Sequence, residues 1–196
     1  MPKVILHILD ARKVNMDDLG ISNYLQERDY IELNKYQNKE KRIEKNLSLY
    51  LKKKYVGQFY LDEHNQPQSD KFYFNIAHSL GVVILGISED APIGVDIEVR
   101  RKVEDKILKY VGNQEEIEYV KEPLNFFEIW TNKESLRKCQ GIGIDKDLNQ
   151  VPALPIEGKR IYQDEIYQTK NLKIDDYVIS ITTKTEESSE LSIIYE

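Results

Sequence analysis

Cysteine is almost missing: Cys139 is the only one in 196 residues, so no internal disulfide and no cysteine-based zinc cage can form. That fits a reducing compartment, and Cys139 itself reads as a small filler on a helix. Long apolar runs are missing too; none approaches the roughly 18 residues of a membrane span. The opening Met1-Pro2-Lys3-Val4 lacks the basic segment, apolar core and small-residue cleavage site of a signal peptide, so the expected location is the cytoplasm, with no membrane partner. There is no excess of positive charge. With 28 Lys and Arg and a formal charge of -6, the chain as a whole has no attraction for nucleic acid. No fixed-period repeat and no low-complexity linker is visible.

The apolar fraction is 40%, enough to build a core for one large domain or two small fused halves. Basic residues gather in 39–54, KEKRIEKNLSLYLKKK, which could meet phosphates or an acidic protein, or form a solvated helix face with lysines in its last turn. PKVILHIL reads as a buried strand with His7 as a satisfied core histidine. From Ser22 to Tyr55, the recurrence of Ile31, Leu33, Tyr36, Ile43, Leu47, Leu51 and Tyr55 predicts one or two amphipathic helices packed on a sheet. LDEHNQPQSD is a turn or loop, and FYFNIAHS and VVILGIS are expected to be paired strands.

In PIGVDIEVRR, Ile93, Val95, Ile97 and Val99 alternate with Gly94, Asp96, Glu98 and Arg100, which predicts a half-buried strand. A charged segment with weak helical periodicity follows to about Val120. PLNFFEIWTNKESLRKCQGIG then begins with a proline and ends on Gly141, with Phe126, Ile129, Trp130 and Leu136 as an apolar stripe, and is the clearest helix. QDEIYQTKN, DDYVISITTK and ELSIIYE are read as strands of a final meander. The class is α+β.

Asp96 and Glu98 are two apart on a strand, so their side chains leave one face about 6.5 to 7 Å apart, within reach of one cation. An acidic pair alone is more often solvated surface. Its setting, GVDIE, adds apolar neighbours and a glycine that lets another group approach the backbone. Along the helix, Trp130, Glu134 and Lys138 fall at i, i+4 and i+8; Glu134 and Lys138 could equally be an ordinary surface pair. Lys133 lies on the apolar stripe, where a lysine is costly unless its amine finds a partner.

FNIAHS, then PIGVDIE, then WTNKESLRK with GIG after it, resemble the phosphopantetheinyl transferases of the Sfp type in order and spacing, over roughly residues 22 to 196. The resemblance implies two similar α+β halves related by a pseudo-twofold axis, joined near Pro92 (1–91 and 92–196), with coenzyme A in the cleft between them and a monomer sufficient. It implies transfer of the 4'-phosphopantetheine arm of coenzyme A to a serine of an acyl or peptidyl carrier protein. Asp96, Glu98 and Glu134 would hold Mg2+, His78 would contact the 3'-phosphate, and Lys138 would sit by the pyrophosphate and aid the departing 3',5'-ADP. Lys133 would anchor the substrate or the helix. The base would lie before the helix, where Glu115 aligns best and Glu116 is one residue away. Arg42 and Lys45 are the nearest counterparts of a phosphate-binding arginine, and Arg28 of an early lysine.

The carrier would be steered by the Lys-rich stretch or by Arg100, Arg101 and Lys102. Two departures stand out: the family's Gly-Lys-Pro is Asn65-Gln66-Pro67, and the residue before the histidine, often serine, is Ala77. They motivate a competing reading, a homologue that binds coenzyme A or a carrier without transferring the arm. A third reading is an α+β interaction domain in which these charges are merely surface.

Overall fold

A computed structural model describes residues 1–62, 67–103, 105–142 and 147–196. Its class is mixed α+β, as the sequence pattern predicts. The first sheet has the order β10-β1-β5-β4, built from β1 (Lys3–Asp10), β4 (Tyr73–Ser79), β5 (Val82–Ser88) and β10 (Glu190–Tyr195). The expected pairing of FYFNIAHS with VVILGIS is present as the antiparallel β4-β5 hairpin. α1 (Glu27–Leu33) and α2 (Lys39–Leu51) precede it, α2 running on into a π-helical turn, Lys52–Val56. β2 (Tyr60–Leu61) and β3 (Pro67–Gln68) form a separate two-stranded ribbon.

The second sheet, β6-β9-β8-β7, is antiparallel and consists of β6 (Ile93–Val99), β7 (Gly158–Tyr162), β8 (Glu165–Ile174) and β9 (Tyr177–Lys184). Among the described residues three α-helices, α3 (Asp105–Val111), α4 (Gln114–Tyr119) and α5 (Pro123–Cys139), lie between β6 and β7, followed by a 3-10 turn, Leu148–Gln150. Among the described residues no helix is long and apolar enough to cross a membrane.

Alternation along the strands sorts the core into two layers. Val4, Leu6, Ile8, Val82 and Ile84 meet Val95, Ile97, Ile179 and Ile181 between the sheets. Leu9, Val83, Leu85 and Phe74 face the other way, against Leu47, Tyr50 and Leu51 of α2. His7 is buried, stacks on Tyr55 and has Nδ1 2.9 Å from Glu196 Oε1, so it is the satisfied core histidine its setting predicts.

Two expectations are corrected. ELSIIYE does not extend a meander: β10 leaves the second sheet and pairs parallel with β1, so the last strand ties this segment back to the first sheet. An apolar strand carries no mark of which distant edge it will join, because pairing in parallel only needs a long connection. β6 is not half-buried either; Ile93 through Ile97 are all buried, because α5 covers the face that holds Gly94 and Asp96.

That helix approaches very closely. A Cβ on Gly94 would lie 2.0 Å from the Ser135 carbonyl oxygen and 2.3 Å from the Cys139 nitrogen. The glycine therefore performs the role its position suggested. Elsewhere α5 meets the sheet through hydroxyls: Thr131 Oγ1 and Ser180 Oγ are 2.6 Å apart, and Ser135 Oγ and Thr182 Oγ1 2.8 Å. Each buried hydroxyl has a partner, so the helix can be enclosed beyond its apolar stripe. Cys139 is buried at its end with Sγ 3.3 Å from the Pro92 carbonyl oxygen, the filler role expected of it.

Candidate active site

The two sheets meet at their edge strands β4 and β6, and side chains of β4 complete the open edge of β6. Val95 N donates to Asn75 Oδ1 at 3.1 Å, and Val99 N donates to Ser79 Oγ at 3.2 Å. Ser79 Oγ in turn donates to Glu98 Oε2 at 2.8 Å. The serine of FNIAHS thus links the first sheet to the acidic pair, a role that sequence reading missed although the residue stood in the quoted motif.

Because Gly94 lets α5 lie against β6, the helix brings Glu134 and Lys138 to the same place. Lys138 Nζ donates to Asp96 Oδ1 at 2.6 Å, and Arg101 pairs with Glu98 while lying over the Phe127 ring. The second oxygen of Asp96 and one oxygen of Glu134 are buried with no hydrogen-bond partner. Burial pushes Asp96 up to about 6, with Glu98 adding to the rise against the pull of Lys138. Burial likewise pushes Glu134 up to about 7, reinforced by the charges of Asp96 and Glu98. Three carboxylates that feel one another, two of them with orphaned oxygens, share only Lys138 and Arg101 as described ion-pair partners, so the site is short of positive charge. Among the described residues, however, no three acidic, histidine or cysteine side chains stand close enough to enclose a cation as they are. Lys138 and Arg101 hold two of the three carboxylates in its place.

Lys133 points elsewhere. It is fully buried, and its ammonium meets Glu116 Oε2 at 2.7 Å, the Leu148 carbonyl at 3.0 Å and the Val151 carbonyl. Glu116 also accepts from Asn113 N at 2.9 Å and from Ala153 N at 2.7 Å. Burial lowers the Lys133 pKa, and Glu116 counters it. The pair joins α4, α5 and the segment before β7. In this arrangement Glu116 has neither exposure nor a spare oxygen with which to take a proton from a bound substrate, whereas Glu115 is exposed. Lys133→Met should cost about 3 kcal/mol in urea unfolding, since it strands a buried carboxylate, and adding Glu116→Gln should recover most of that loss. Equal loss in the single and double variants would show that the pair is not coupled.

His78 lies on the α2 side of β4, 32% exposed, with Nδ1 3.1 Å from Glu44 Oε2. Burial lowers its pKa; Glu44 raises it, and Lys45 and Lys138 lower it further. Helix α2 and helix α5 thus bring Lys45 and Lys138 to bear on one imidazole. Ala77 occupies the opposite face, in the core between the sheets, so a hydroxyl there would not share the side of β4 that His78 presents. Arg42 and Lys45 are exposed on α2. Arg28 is not brought to the seam: it borders a separate cavity of about 910 Å³ with Tyr24, Asp29, Lys53 and Phe59. The basic run is partly spent on ion pairs, Lys53 with Asp29 and Lys54 with Glu196. Gln66 lies outside the described residues.

Comparisons with known proteins bear on the region that carries these residues. The family model of the 4'-phosphopantetheinyl transferase superfamily matches residues 92–182, which contain β6, α5 and all three carboxylates. That stretch, a little under half of the chain, is similar to the 4'-phosphopantetheinyl transferase superfamily. It is 32% identical over 92 residues to a 4'-phosphopantetheinyl transferase of Bacillus pumilus, covering 44% of this chain and 39% of that protein. It is 30% identical over 129 residues to a 4'-phosphopantetheinyl transferase of Aneurinibacillus migulanus, covering 56% of this chain and 54% of that protein. The chain thus spans 39% and 54% of the length of these superfamily relatives.

Proposed function

We propose that this protein transfers the 4'-phosphopantetheine arm of coenzyme A to a serine of an acyl or peptidyl carrier protein, releasing 3',5'-ADP. The observation that carries the reading is the gathering of Asp96, Glu98 and Glu134 at the seam between the sheets, with two orphaned buried oxygens and a lysine among them. Hard oxygen donors short of positive charge fit Mg2+, and these three side chains would hold it. When bound, the ion would neutralise charge on the pyrophosphate of coenzyme A.

The remaining work falls to side chains. Phosphoryl transfer asks mainly for in-line positioning and charge neutralisation. His78 and Lys45 offer positive charge to phosphate from the α2 side. Lys138, freed from Asp96, can turn to the pyrophosphate and support the departing 3',5'-ADP. The carrier serine must lose its proton as its oxygen attacks the β-phosphorus, and Glu115, exposed before α5, is the available carboxylate of the two the sequence offered. Glu116 and Lys133 keep the segment around α4 and α5 in place rather than meeting substrate. The exposed face of α2 is the preferred surface for steering an acidic carrier, since Arg101 is engaged with Glu98.

A second reading, a homologue that binds coenzyme A or a carrier without transfer, is motivated by Gln66 and Ala77, which stand where the resembled family has a lysine and often a serine. Intact-protein mass spectrometry of apo carrier proteins incubated with this protein, coenzyme A and Mg2+ separates the two. A gain of one phosphopantetheine arm that vanishes with Asp96→Ala supports transfer. Coenzyme A binding with no modified carrier across acyl and peptidyl types supports the second reading.

A further inference from the structure

We infer that Glu44 is a positioning residue for His78, fixing the imidazole at the seam and supplying the negative charge that lets it carry a proton when a phosphate binds. The inference rests on the proposed function for the identity of that phosphate, which belongs to coenzyme A or 3',5'-ADP. It does not rest on it for the electrostatic role.

Glu44 stands in the middle of the most basic stretch of the chain, yet its side chain is only 10% exposed. Helix α2 turns it inward, onto the end of the β4-β5 hairpin. One carboxylate oxygen accepts from Gly81 N at 3.1 Å, in a two-residue turn whose residues Leu80 and Gly81 have φ of 45° and 85°. The other lies 3.1 Å from His78 Nδ1. The carboxylate is therefore held at both ends. The hairpin segment it grips also carries Ser79, which bonds to Glu98 and to Val99 N, so one short segment joins His78, the acidic pair and α2.

Among the described residues, the charged groups that bear on His78 are Glu44 and Lys45 from α2 and Lys138 from α5. Burial and the two lysines all disfavour the imidazolium, and Glu44 is the one charged side chain among them that favours it. A histidine placed between two lysines without a counter-charge would stay neutral and meet a phosphate with little attraction. With Glu44 beside it, a phosphate dianion arriving at the exposed part of the ring can draw a proton onto the imidazole. The sign follows directly: affinity for the phosphate dianion should fall as pH rises through the pKa of His78 in the complex, and below about pH 6 protonation of the phosphate itself removes the dianion.

The test uses the full chain and the Glu44→Gln variant, whose amide oxygen can still accept from Gly81 N, so the turn keeps its hydrogen bond while the charge is lost. Histidine ring signals are followed by NMR from pH 5 to 8.5, with His78 assigned by the signals lost in His78→Gln. The His78 pKa should drop by about one unit in Glu44→Gln. Glu44→Asp should recover part of the drop. Binding of 3',5'-ADP at pH 7 should weaken about tenfold, with its pH dependence displaced to lower pH. An unchanged His78 pKa, or 3',5'-ADP bound as tightly or more tightly by Glu44→Gln, overturns the inference and leaves Glu44 as a clamp for the turn alone. If the unsubstituted protein does not bind 3',5'-ADP at all, the transferase reading fails, and the His78 pKa comparison by itself decides the role of Glu44.

Discussion

Glu134→Gln should abolish most of the proposed transfer activity and, in metal-free buffer near pH 7, melt at a higher temperature than the unsubstituted protein. The two effects have one cause. Glu134 is buried beside Asp96 and Glu98, and its pKa stands at about 7 against an ordinary value of 4.5; Asp96 stands at about 6 against 3.8. The folded chain therefore binds more protons than the unfolded chain between those values. Stability without metal must then fall as pH rises from about 4 to about 7, and the penalty is absent below that window. Replacing Glu134 by a neutral amide of the same shape removes its share of the penalty, a gain on the order of 1 to 2 kcal/mol and a few degrees in Tm.

With Mg2+ the order reverses. A ligand that binds only the folded state adds about 2.7 kcal/mol at a hundredfold excess over its Kd, and the variant loses that increment with its carboxylate. Loss of several kcal/mol of charge stabilisation corresponds to a decrease in transfer rate of about 10² to 10³. Calorimetric scans of both proteins, with and without Mg2+ from pH 4 to 8, check every part. A variant less stable than the unsubstituted protein in metal-free buffer at pH 7 would show that Glu134 serves the fold, and the charge-deficit account of the site would fail.

Gly94→Ala should be the most damaging glycine-to-alanine change among the described residues, costing more than about 4 kcal/mol or leaving no folded protein. The added methyl would stand 2.0 Å and 2.3 Å from backbone atoms of α5, which cannot turn aside as a side-chain tip can. Relief requires moving α5 off β6, and that also breaks the Thr131 and Ser135 hydroxyl contacts with β9 and carries Glu134 and Lys138 away from Asp96. Overpacking commonly costs about 1 to 3 kcal/mol where neighbours can give, and values above about 4 mark sites where they cannot. Urea unfolding and carrier modification should fail together. A variant of normal stability whose transfer activity is also normal would mean that the helix has more freedom to shift than these distances allow.

Local pattern made much of the chain legible. An apolar run after FYFNIAHS located the β4-β5 pair, alternation of apolar and polar residues located β6, a proline start with a glycine after its end located α5, and the glycine of GVDIE announced the close approach that the fold uses. Spacing put Asp96 and Glu98 on one face of a strand and Glu134 and Lys138 on one face of a helix, because i, i+2 on a strand and i, i+4 on a helix are local geometries, and only the resemblance of the surrounding motifs set them apart from ordinary surface pairs. Tertiary structure alone decided the rest. The partner strand of β10 depends on which edge is open, Glu44 reaches His78 across 33 intervening positions, and Glu116 rather than Glu115 is drawn inside because Lys133 and the Ala153 amide await it there. Such choices are settled by burial and by the satisfaction of buried charge, which are properties of the packed molecule and leave no periodic trace in the sequence.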